Sequence, residues 1–205
     1  FNKRKYKYNS LSYNPDSSLM AYSENFMGRE RISVVNTTTG KKKLIYRKGN
    51  KLVDQQVDYS VPLVGWRSKD ELSVLTYRKG TPYLFTKNIK TGEKESKYFS
   101  TFDQITSFDY NVNNDEMAIT AYKNGQSDLF IYDYKEDRAR RITKDLYDDM
   151  DAKYQAGTGN IVFSSNRLND TLRQDNGGYD LITDNYNVFV YDSEKKFPVL
   201  KRVTD

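Results

Sequence analysis

A pattern that occurs four times along the chain constrains the fold more than any other feature of this sequence. Each copy has an aromatic residue, then a polar turn, then a strand of alternating or continuous apolar residues. The aromatic residues are Tyr13, Trp66, Tyr110 and Tyr154, spaced 53, 44 and 44 residues apart, and the strands after them start at Met20, Leu72, Met117 and Ile161. A second strand then ends on Asn36, Asn88, Asp133 or Asp192, and a turn and a short final strand follow. Each unit therefore predicts four antiparallel strands in about 45 residues, which is the repeat of a β-propeller blade.

The composition supports an all-β fold. The 205 residues include 18 Tyr and 10 Phe but only 4 Pro, and aromatic and β-branched residues favour strands. Helical periodicity of apolar residues is hard to find anywhere in the chain. We predict a single β-propeller domain, or part of one, over residues 1–205, with blades at about 8–49, 61–104, 105–149 and 150–205.

Two residue types that many active sites need do not occur. The chain has no His and no Cys, so these residues can form no Ser-His-Asp triad, no Cys-His dyad and no zinc site built on His or Cys. The sequence contains no Gly-x-Ser-x-Gly motif and no phosphate-binding loop with a Lys. No apolar run reaches the roughly 18 residues of a membrane span. We predict no catalytic residue, no metal site and no cofactor within this chain.

A cluster of acidic residues lies between the third and fourth units: Asp145, Asp148, Asp149 and Asp151. Carboxylates at this density can bind Ca²⁺, but their spacing does not match an EF-hand loop. We favour a polar loop between blades over a calcium site. Trp66 occupies the aromatic position of its repeat, and we predict that it packs between blades rather than stacking on a ligand.

The fourth unit departs from the other three in the length of its middle loop. From the strand start to the Asn or Asp that ends the second strand, the first three units span 16 positions and the fourth spans 31, so it carries 15 extra residues. Binding residues concentrate on long loops of rigid scaffolds. We predict that the partner-binding residues of this insertion are Arg173, Asp175, Tyr179, Asp180 and Asp184. In a propeller this loop shares a face with the connections between blades, so the linker from Asn50 to Pro62 should lie on that face.

The repeats resemble those of a known family. The stretches YNPDSSLMAYSE at 13–24, RRIT at 140–143, SSNR at 164–167 and KRVT at 201–204 are similar to the repeats of TolB-type β-propellers. Similar repeats also build the propeller domains of prolyl-oligopeptidase-like enzymes. The resemblance extends from Tyr8 to Asp205 and implies a propeller of six to eight blades, so we expect the chain to be part of a longer protein. A complete propeller of four blades is the alternative.

The resemblance and the lack of catalytic motifs together predict a function. We expect a non-catalytic module for protein–protein interaction or scaffolding in the periplasm or cell envelope of a bacterium. Its partner would be a protein associated with peptidoglycan or the outer membrane, and we expect neither nucleic-acid binding nor a transmembrane segment. The alternative is the propeller domain of a serine hydrolase of prolyl-oligopeptidase type whose catalytic domain lies outside this chain. A third interpretation is a carbohydrate-active propeller, with two carboxylates roughly 5–9 Å apart at the mouth of its channel.

Overall fold

The described part of the chain folds into β-structure, which confirms the all-β prediction. A computed structural model describes residues 7–49, 58–111, 113, 115–168, 170, 172, 184–192 and 199–204. The strands among these residues are β1 (Lys7–Tyr13), β2 (Leu19–Phe26), β3 (Arg29–Asn36), β4 (Lys42–Lys48), β5 (Leu63–Trp66), β6 (Glu71–Arg78), β7 (Thr81–Asn88), β8 (Lys94–Tyr98), β9 (Gln104–Asn111), β10 (Glu116–Lys123), β11 (Gln126–Asp133), β12 (Arg138–Arg141), β13 (Asp149–Tyr154), β14 (Ile161–Ser165), β15 (Asn187–Asp192) and β16 (Val199–Arg202). None of these described segments is a helix of the length and apolarity that crossing a membrane requires.

The sixteen strands form four separate antiparallel sheets of four strands each. Each sheet is a meander in which every strand pairs with the next one along the chain: β1 to β4, β5 to β8, β9 to β12, and β13 to β16. We call these sheets blades 1 to 4. The four-stranded unit that the repeat predicts is thus confirmed in all four copies.

The aromatic residue of the repeat has the same register in every blade. It lies opposite the first apolar residue of the second strand: Tyr13 opposite Met20, Trp66 opposite Leu72, Tyr110 opposite Met117, and Tyr154 opposite Ile161. Because side chains alternate between the two faces of a strand, this shared register places equivalent residues on the same face of each blade.

Blades 1, 2 and 3 close their middle hairpins with two-residue turns. The turns are Met27–Gly28, Lys79–Gly80 and Asn124–Gly125, and all of these residues have positive φ, from 51° to 84°. Two successive positive φ values define the type I′ turn, whose twist matches that of an antiparallel strand pair. In blade 4 the insertion takes the place of this turn, between the end of β14 at Ser165 and the start of β15 at Asn187.

The chain divides into two compact units, residues 1–100 with blades 1 and 2, and residues 101–205 with blades 3 and 4. A core cluster in the first unit contains Ala21, Ile32, Val34, Val64, Trp66, Leu72 and Val74. A core cluster in the second unit contains Ala118, Leu129, Ile131, Ala152, Ile161, Phe163, Phe189, Tyr191 and Leu200. Trp66 is buried, and its Nε1 donates a hydrogen bond to the carbonyl oxygen of Ser12 at 3.1 Å. Its predicted role in packing between blades is therefore confirmed.

The aromatic position of blade 1 differs from that of blade 2. Trp66 is 4% exposed, whereas Tyr13 is 53% exposed. The alternation of side chains between the two faces of β2 explains the difference. Ala21 faces blade 2, so Met20 lies on the other face, and Tyr13, which pairs with Met20, lies there too. That other face carries an open groove of about 470 Å³, lined by side chains that include Leu11, Met20 and Tyr22.

Candidate partner-binding site

The described connections between blades lie at the same end of the sheets as the described middle hairpin turns, and we call this end the connector end. In the first unit, Nδ2 of Asn25 lies next to the hairpin turn and donates a hydrogen bond to the carbonyl oxygen of Val61 at 3.3 Å. In the second unit, the backbone amide of Asp103 donates to the carbonyl oxygen of Tyr122 at 3.0 Å. Described connectors and hairpins therefore meet at the same end, as the sequence predicts. Residues 50–57 of the predicted linker lie outside the described residues.

Four of the five predicted partner-binding residues also lie outside the described residues: Arg173, Asp175, Tyr179 and Asp180. The fifth, Asp184, is exposed shortly before the start of β15. Their role in binding stays a prediction. The residues on both sides of the insertion are described, and they define how it leaves blade 4 and returns to it.

The first residues of the insertion are attached to blade 4. Oδ1 of Asp170 accepts a hydrogen bond from the backbone amide of Arg202 in the outermost strand at 3.2 Å. Leu172 packs as a partly buried side chain against the core of the second unit. After the insertion, the chain re-enters the sheet at β15, where the backbone amide of Val188 donates to Oγ1 of Thr204 at 2.9 Å. The contacts of Asp170 and Leu172 therefore fix where the insertion leaves the blade.

Arg167, two residues before the insertion, is completely buried. Its Nη2 donates to both carboxylate oxygens of Asp149, at 2.9 and 3.2 Å, and its Nη1 lies 3.1 Å from Oδ2 of Asp145. Its Nε donates to Oγ of Ser165 at 3.0 Å. Removing a charge from water costs several kcal/mol, and only close counter-charges with good hydrogen bonds offset that cost. Arg167 therefore holds three segments of blade 4 together at its connector end.

Three aromatic rings enclose the guanidinium of Arg167. The ring centroids of Tyr147, Phe163 and Phe189 each lie 5.7 Å from its Cζ atom. Such an apolar enclosure excludes water and strengthens the electrostatic attraction between the paired charges. Burial also raises the pKa of Asp149, against the opposing charge of Arg167.

A second buried ion pair extends the network into blade 3. Asp128 on β11 is fully buried and is paired with Arg141 on β12. Burial raises the pKa of Asp128 to about 6, the charge of Arg141 opposes this shift, and the nearby carboxylates of Asp149 and Asp145 add to it. Oγ of Ser127 donates to the backbone carbonyl oxygen of Asp149 at 2.6 Å. Blades 3 and 4 are thus joined by buried polar contacts as well as by their shared core.

Large apolar side chains are exposed at the connector end of blade 4. Leu146 is 43% exposed, and Leu168 and Tyr186 are each 42% exposed. Leu146 precedes β13, Leu168 follows β14 and Tyr186 precedes β15. The start of β13 pairs with the end of β14, which pairs in turn with the start of β15, so the three residues lie at the same end of the sheet. We call these three side chains the blade 4 patch. Exposed apolar side chains grouped at one end of a rigid blade are typical of an interaction surface.

The predicted acidic loop between blades has two kinds of residue. Asp145 and Asp149 are buried against Arg167, whereas Asp148 is half-buried and Asp151 is exposed. Among the described residues, no group of three or more metal-ligating side chains is placed to hold a metal ion. Asp145 and Asp149 converge, but Arg167 and the aromatic rings around it enclose them. They are therefore closed to the substrate that the carbohydrate-active interpretation requires.

Sequence reasoning missed the residues that shape this site. It recognised Arg167 only as part of a family-like stretch and Asp149 only as part of an acidic cluster, without pairing them. It also missed Leu146, Leu168 and Tyr186, since single apolar residues in polar loops carry no periodic signal. One signal for the pairing was present in the sequence. Arg167 follows shortly after the apolar strand that starts at Ile161, and several Asp residues lie at or just before the start of the preceding strand.

The comparisons with known proteins agree with the fold. No protein-family model matches the chain. The chain is similar to the Tol-Pal system protein TolB of Helicobacter hepaticus, with 26% identity over 155 residues, 74% of this chain and 35% of that protein. Among solved structures it is similar to TolB from Acinetobacter baumannii, with a TM-score of 0.69, 15% identity, and coverage of 98% of this chain and 44% of that chain.

Two further structures place the fold in a wider group. Putative TolB from Agrobacterium tumefaciens has a TM-score of 0.67 and 16% identity, covering 95% of this chain and 65% of that chain. A puromycin-hydrolyzing peptidase of Mycobacterium tuberculosis has a TM-score of 0.62 and 15% identity, covering 96% of this chain and 29% of that chain. The β-propeller fold and the resemblance to TolB-type repeats are confirmed. The chain spans 35% of the curated relative's length and less than two thirds of each of these structures, and the total number of blades stays a prediction.

Proposed function

We propose that this chain, whose four sheets are blades of a TolB-type β-propeller, is a non-catalytic protein-binding module of the bacterial cell envelope. It acts in the periplasm and binds a protein associated with peptidoglycan or the outer membrane. The binding surface is the connector end of blade 4, with the insertion and its residues Arg173, Asp175, Tyr179, Asp180 and Asp184. The similarity to the Tol-Pal system protein TolB supports the location and the kind of partner.

One observation carries this proposal. Blades 1 to 3 connect their middle strands by two-residue turns, whereas blade 4 carries a long insertion on a base that Arg167 and two buried carboxylates hold in place. A short turn would close this hairpin equally well, so the fold alone does not require the extra residues. Long loops on rigid scaffolds are the usual carriers of recognition.

The test removes the insertion and keeps the blade. Replacing residues 169–184 by one Gly leaves Leu168 and that Gly as a two-residue turn, as at Met27–Gly28 in blade 1. We call this protein the hairpin variant. We expect a normal β-sheet circular dichroism spectrum, because Asp145, Asp149 and Ser165, which hold Arg167, lie outside the replaced residues. We also expect the variant to lose the partner that the full-length protein captures from a detergent extract of the cell envelope.

The control for this experiment is a change of similar exposure at the opposite end of a blade. Glu136 lies in the turn between β11 and β12, away from the connector end, so Glu136→Gln should capture the partner as well as the unmodified protein. A hairpin variant that folds and still captures the same partner at the same yield would refute the recognition role of the insertion.

A second candidate function is the propeller domain of a serine peptidase. The similarity to the puromycin-hydrolyzing peptidase favours it. In that case the full-length protein contains a Gly-x-Ser-x-Gly nucleophile outside this chain, followed by an Asp and a His. A fluorophosphonate probe then labels the full-length protein at that Ser. A full-length protein that the probe does not label, and whose sequence lacks the motif, supports the binding module.

A further inference from the structure

The blade 4 patch lies among acidic groups. Asp148 comes two residues after Leu146, and Asp184 comes two residues before Tyr186. Asp148 lies beside the end of β14, because its backbone amide donates a hydrogen bond to Oδ1 of Asn166, two residues before Leu168, at 2.8 Å. Burial raises the pKa of the Tyr186 hydroxyl, and the charges of Asp148, Asp184 and Asp149 add to this shift.

Within the described part of the chain, no ion pair joins Asp148 or Asp184 to a cation. Arg167 is fully committed to Asp145 and Asp149 in the buried network. Lys144 and Lys123 are exposed near the same end, on the connection to blade 4 and at the end of β10. An acidic field around exposed apolar side chains attracts segments that carry the opposite charge.

We infer that the blade 4 patch binds a polypeptide segment in which apolar side chains are flanked by Lys or Arg. The inference rests on the proposed function and names the chemistry of the partner at the site. The apolar side chains of the segment cover Leu146, Leu168 and Tyr186. Its cations lie beside Asp148 and Asp184, and one of them can stack on the exposed face of the Tyr186 ring.

The geometry favours such a segment over an acidic or a purely polar one. An acidic segment would bring its carboxylates next to Asp148 and Asp184, where like charges repel. A purely polar segment would leave the three apolar side chains in water or trap them against polar groups, which costs free energy. The combination of a small apolar centre and a charged rim is the common anatomy of a protein interface.

The experiment uses three short fluorescein-labelled peptides and the complete chain. In the first peptide two Leu residues are flanked by Arg residues. In the second the Arg residues are replaced by Glu, and in the third the Leu residues are replaced by Ser. We expect fluorescence polarisation to detect binding of the first peptide only, with an affinity that falls as salt is added, because charge attraction contributes to it.

Substitutions in the patch locate the binding. Leu168→Ser combined with Tyr186→Ser should weaken the first peptide about tenfold, the effect of losing roughly 1.4 kcal/mol of contact. Asp148→Asn should weaken it less and should reduce its dependence on salt. Leu44→Ser is the control, since Leu44 is an apolar side chain on blade 1 that is somewhat more exposed (53%) than Leu168 (42%), and it should change nothing.

The outcomes separate this inference from the proposed function. Equal binding of the Arg and Glu peptides, or binding that the patch substitutions leave unchanged, overturns the inference, even if the hairpin variant loses its envelope partner. Binding of the Arg peptide that depends on the patch supports the inference. It does so even if the hairpin variant keeps its envelope partner, in which case only the proposed role of the insertion fails.

Discussion

Arg78 in blade 2 and Arg167 in blade 4 occupy the same position of the repeat, six residues after the strand starts Leu72 and Ile161. Arg78 is exposed and lies over the ring of Tyr83 at 3.8 Å, whereas Arg167 is completely buried and paired with two carboxylates. The same residue type at the same place thus has opposite surroundings.

The neighbouring first strand causes this difference. In blade 4, β13 begins with Asp149 opposite Ser165, which places a carboxylate beside Arg167. In blade 2, β5 begins at Leu63 directly after Pro62, so Pro62 rather than a carboxylate lies at the start of the first strand, and the preceding Asp58 is exposed. Two different features can therefore hold the strand ends of a blade: a tight turn in blade 2 and a buried ion network in blade 4.

The largest expected effect comes from breaking the network at its centre. Arg167→Met leaves Asp145 and Asp149 buried without their counter-charge, and removing one partner of a buried ion pair costs about 3–5 kcal/mol. We expect a loss of this size in urea unfolding followed by circular dichroism. Arg78→Met, the same change at the exposed position, should cost less than about 1 kcal/mol, since an exposed cation–π contact contributes no more than that.

A rescue variant shows whether the loss comes from charge. Arg167→Met together with Asp145→Asn and Asp149→Asn removes the uncompensated carboxylates, so it should recover part of the stability lost by Arg167→Met alone. No recovery would mean that packing of the long side chain, rather than charge, is what the network contributes. Trp66 is the only Trp of the chain and lies in the first unit, so its fluorescence reports the unfolding of that unit separately.

The pH dependence of stability tests the part of the network in blade 3. The pKa of Asp128 is raised to about 6 from an ordinary value of 3.8, so between these values the folded chain binds more protons than the unfolded one. The contribution of Asp128 to the free energy of unfolding is fully present below about pH 4 and is lost as the pH rises to about 6. Acidification from pH 7 to pH 5 should therefore stabilise the chain through Asp128.

Asp128→Asn is the variant that isolates this effect. The free-energy difference between the unmodified chain and the variant should change with pH by no more than about 1.4 kcal/mol per pH unit. Burial also raises the pKa of Asp145 and Asp149, with the same sign. Both residues are present in both proteins, so the comparison leaves the titration of Asp128 together with its coupling to these two carboxylates. A difference that stays constant from pH 7 to pH 4 would contradict the raised pKa.

Much of this architecture follows from local sequence, but the network does not. The repeat spacing places Trp66 and Tyr110 correctly, because the register of an antiparallel meander is fixed by its apolar pattern and its turns. Asn124–Gly125 is a recognised hairpin signal. The aromatic position of Tyr13 has the same pattern and is nevertheless exposed, because burial depends on what packs against a face and not on the residue itself.

The candidate site escapes local rules for a different reason. Asp145, Asp148, Asp149 and Asp151 form one acidic run in the sequence, and nothing in that run shows which carboxylates point inward. A β-bulge decides it in part, since the register of β13 shifts between Met150 and Lys153 and Asp151 has a φ of 56°. The partner, Arg167, lies on another strand, so the pairing is a tertiary contact.

The smallest expected effect concerns the turn that blade 4 does not have. Gly125 has a φ of 82°, and a Cβ atom added there would meet no other atom within 4 Å. Gly125→Ala therefore has only a backbone cost, of about 1–2 kcal/mol for a side chain in the left-handed region. Glu136→Ala, in a turn residue outside that region, is the control and should stay within about 0.5 kcal/mol of the unmodified chain.

Amide hydrogen exchange locates the effect of Gly125→Ala. If turns hold blades 1 to 3 as Arg167 holds blade 4, exchange in this variant should speed up at the adjoining ends of β10 and β11. Exchange at β14 and β15 should stay unchanged, and an equal increase in both hairpins would show that blades 3 and 4 open together.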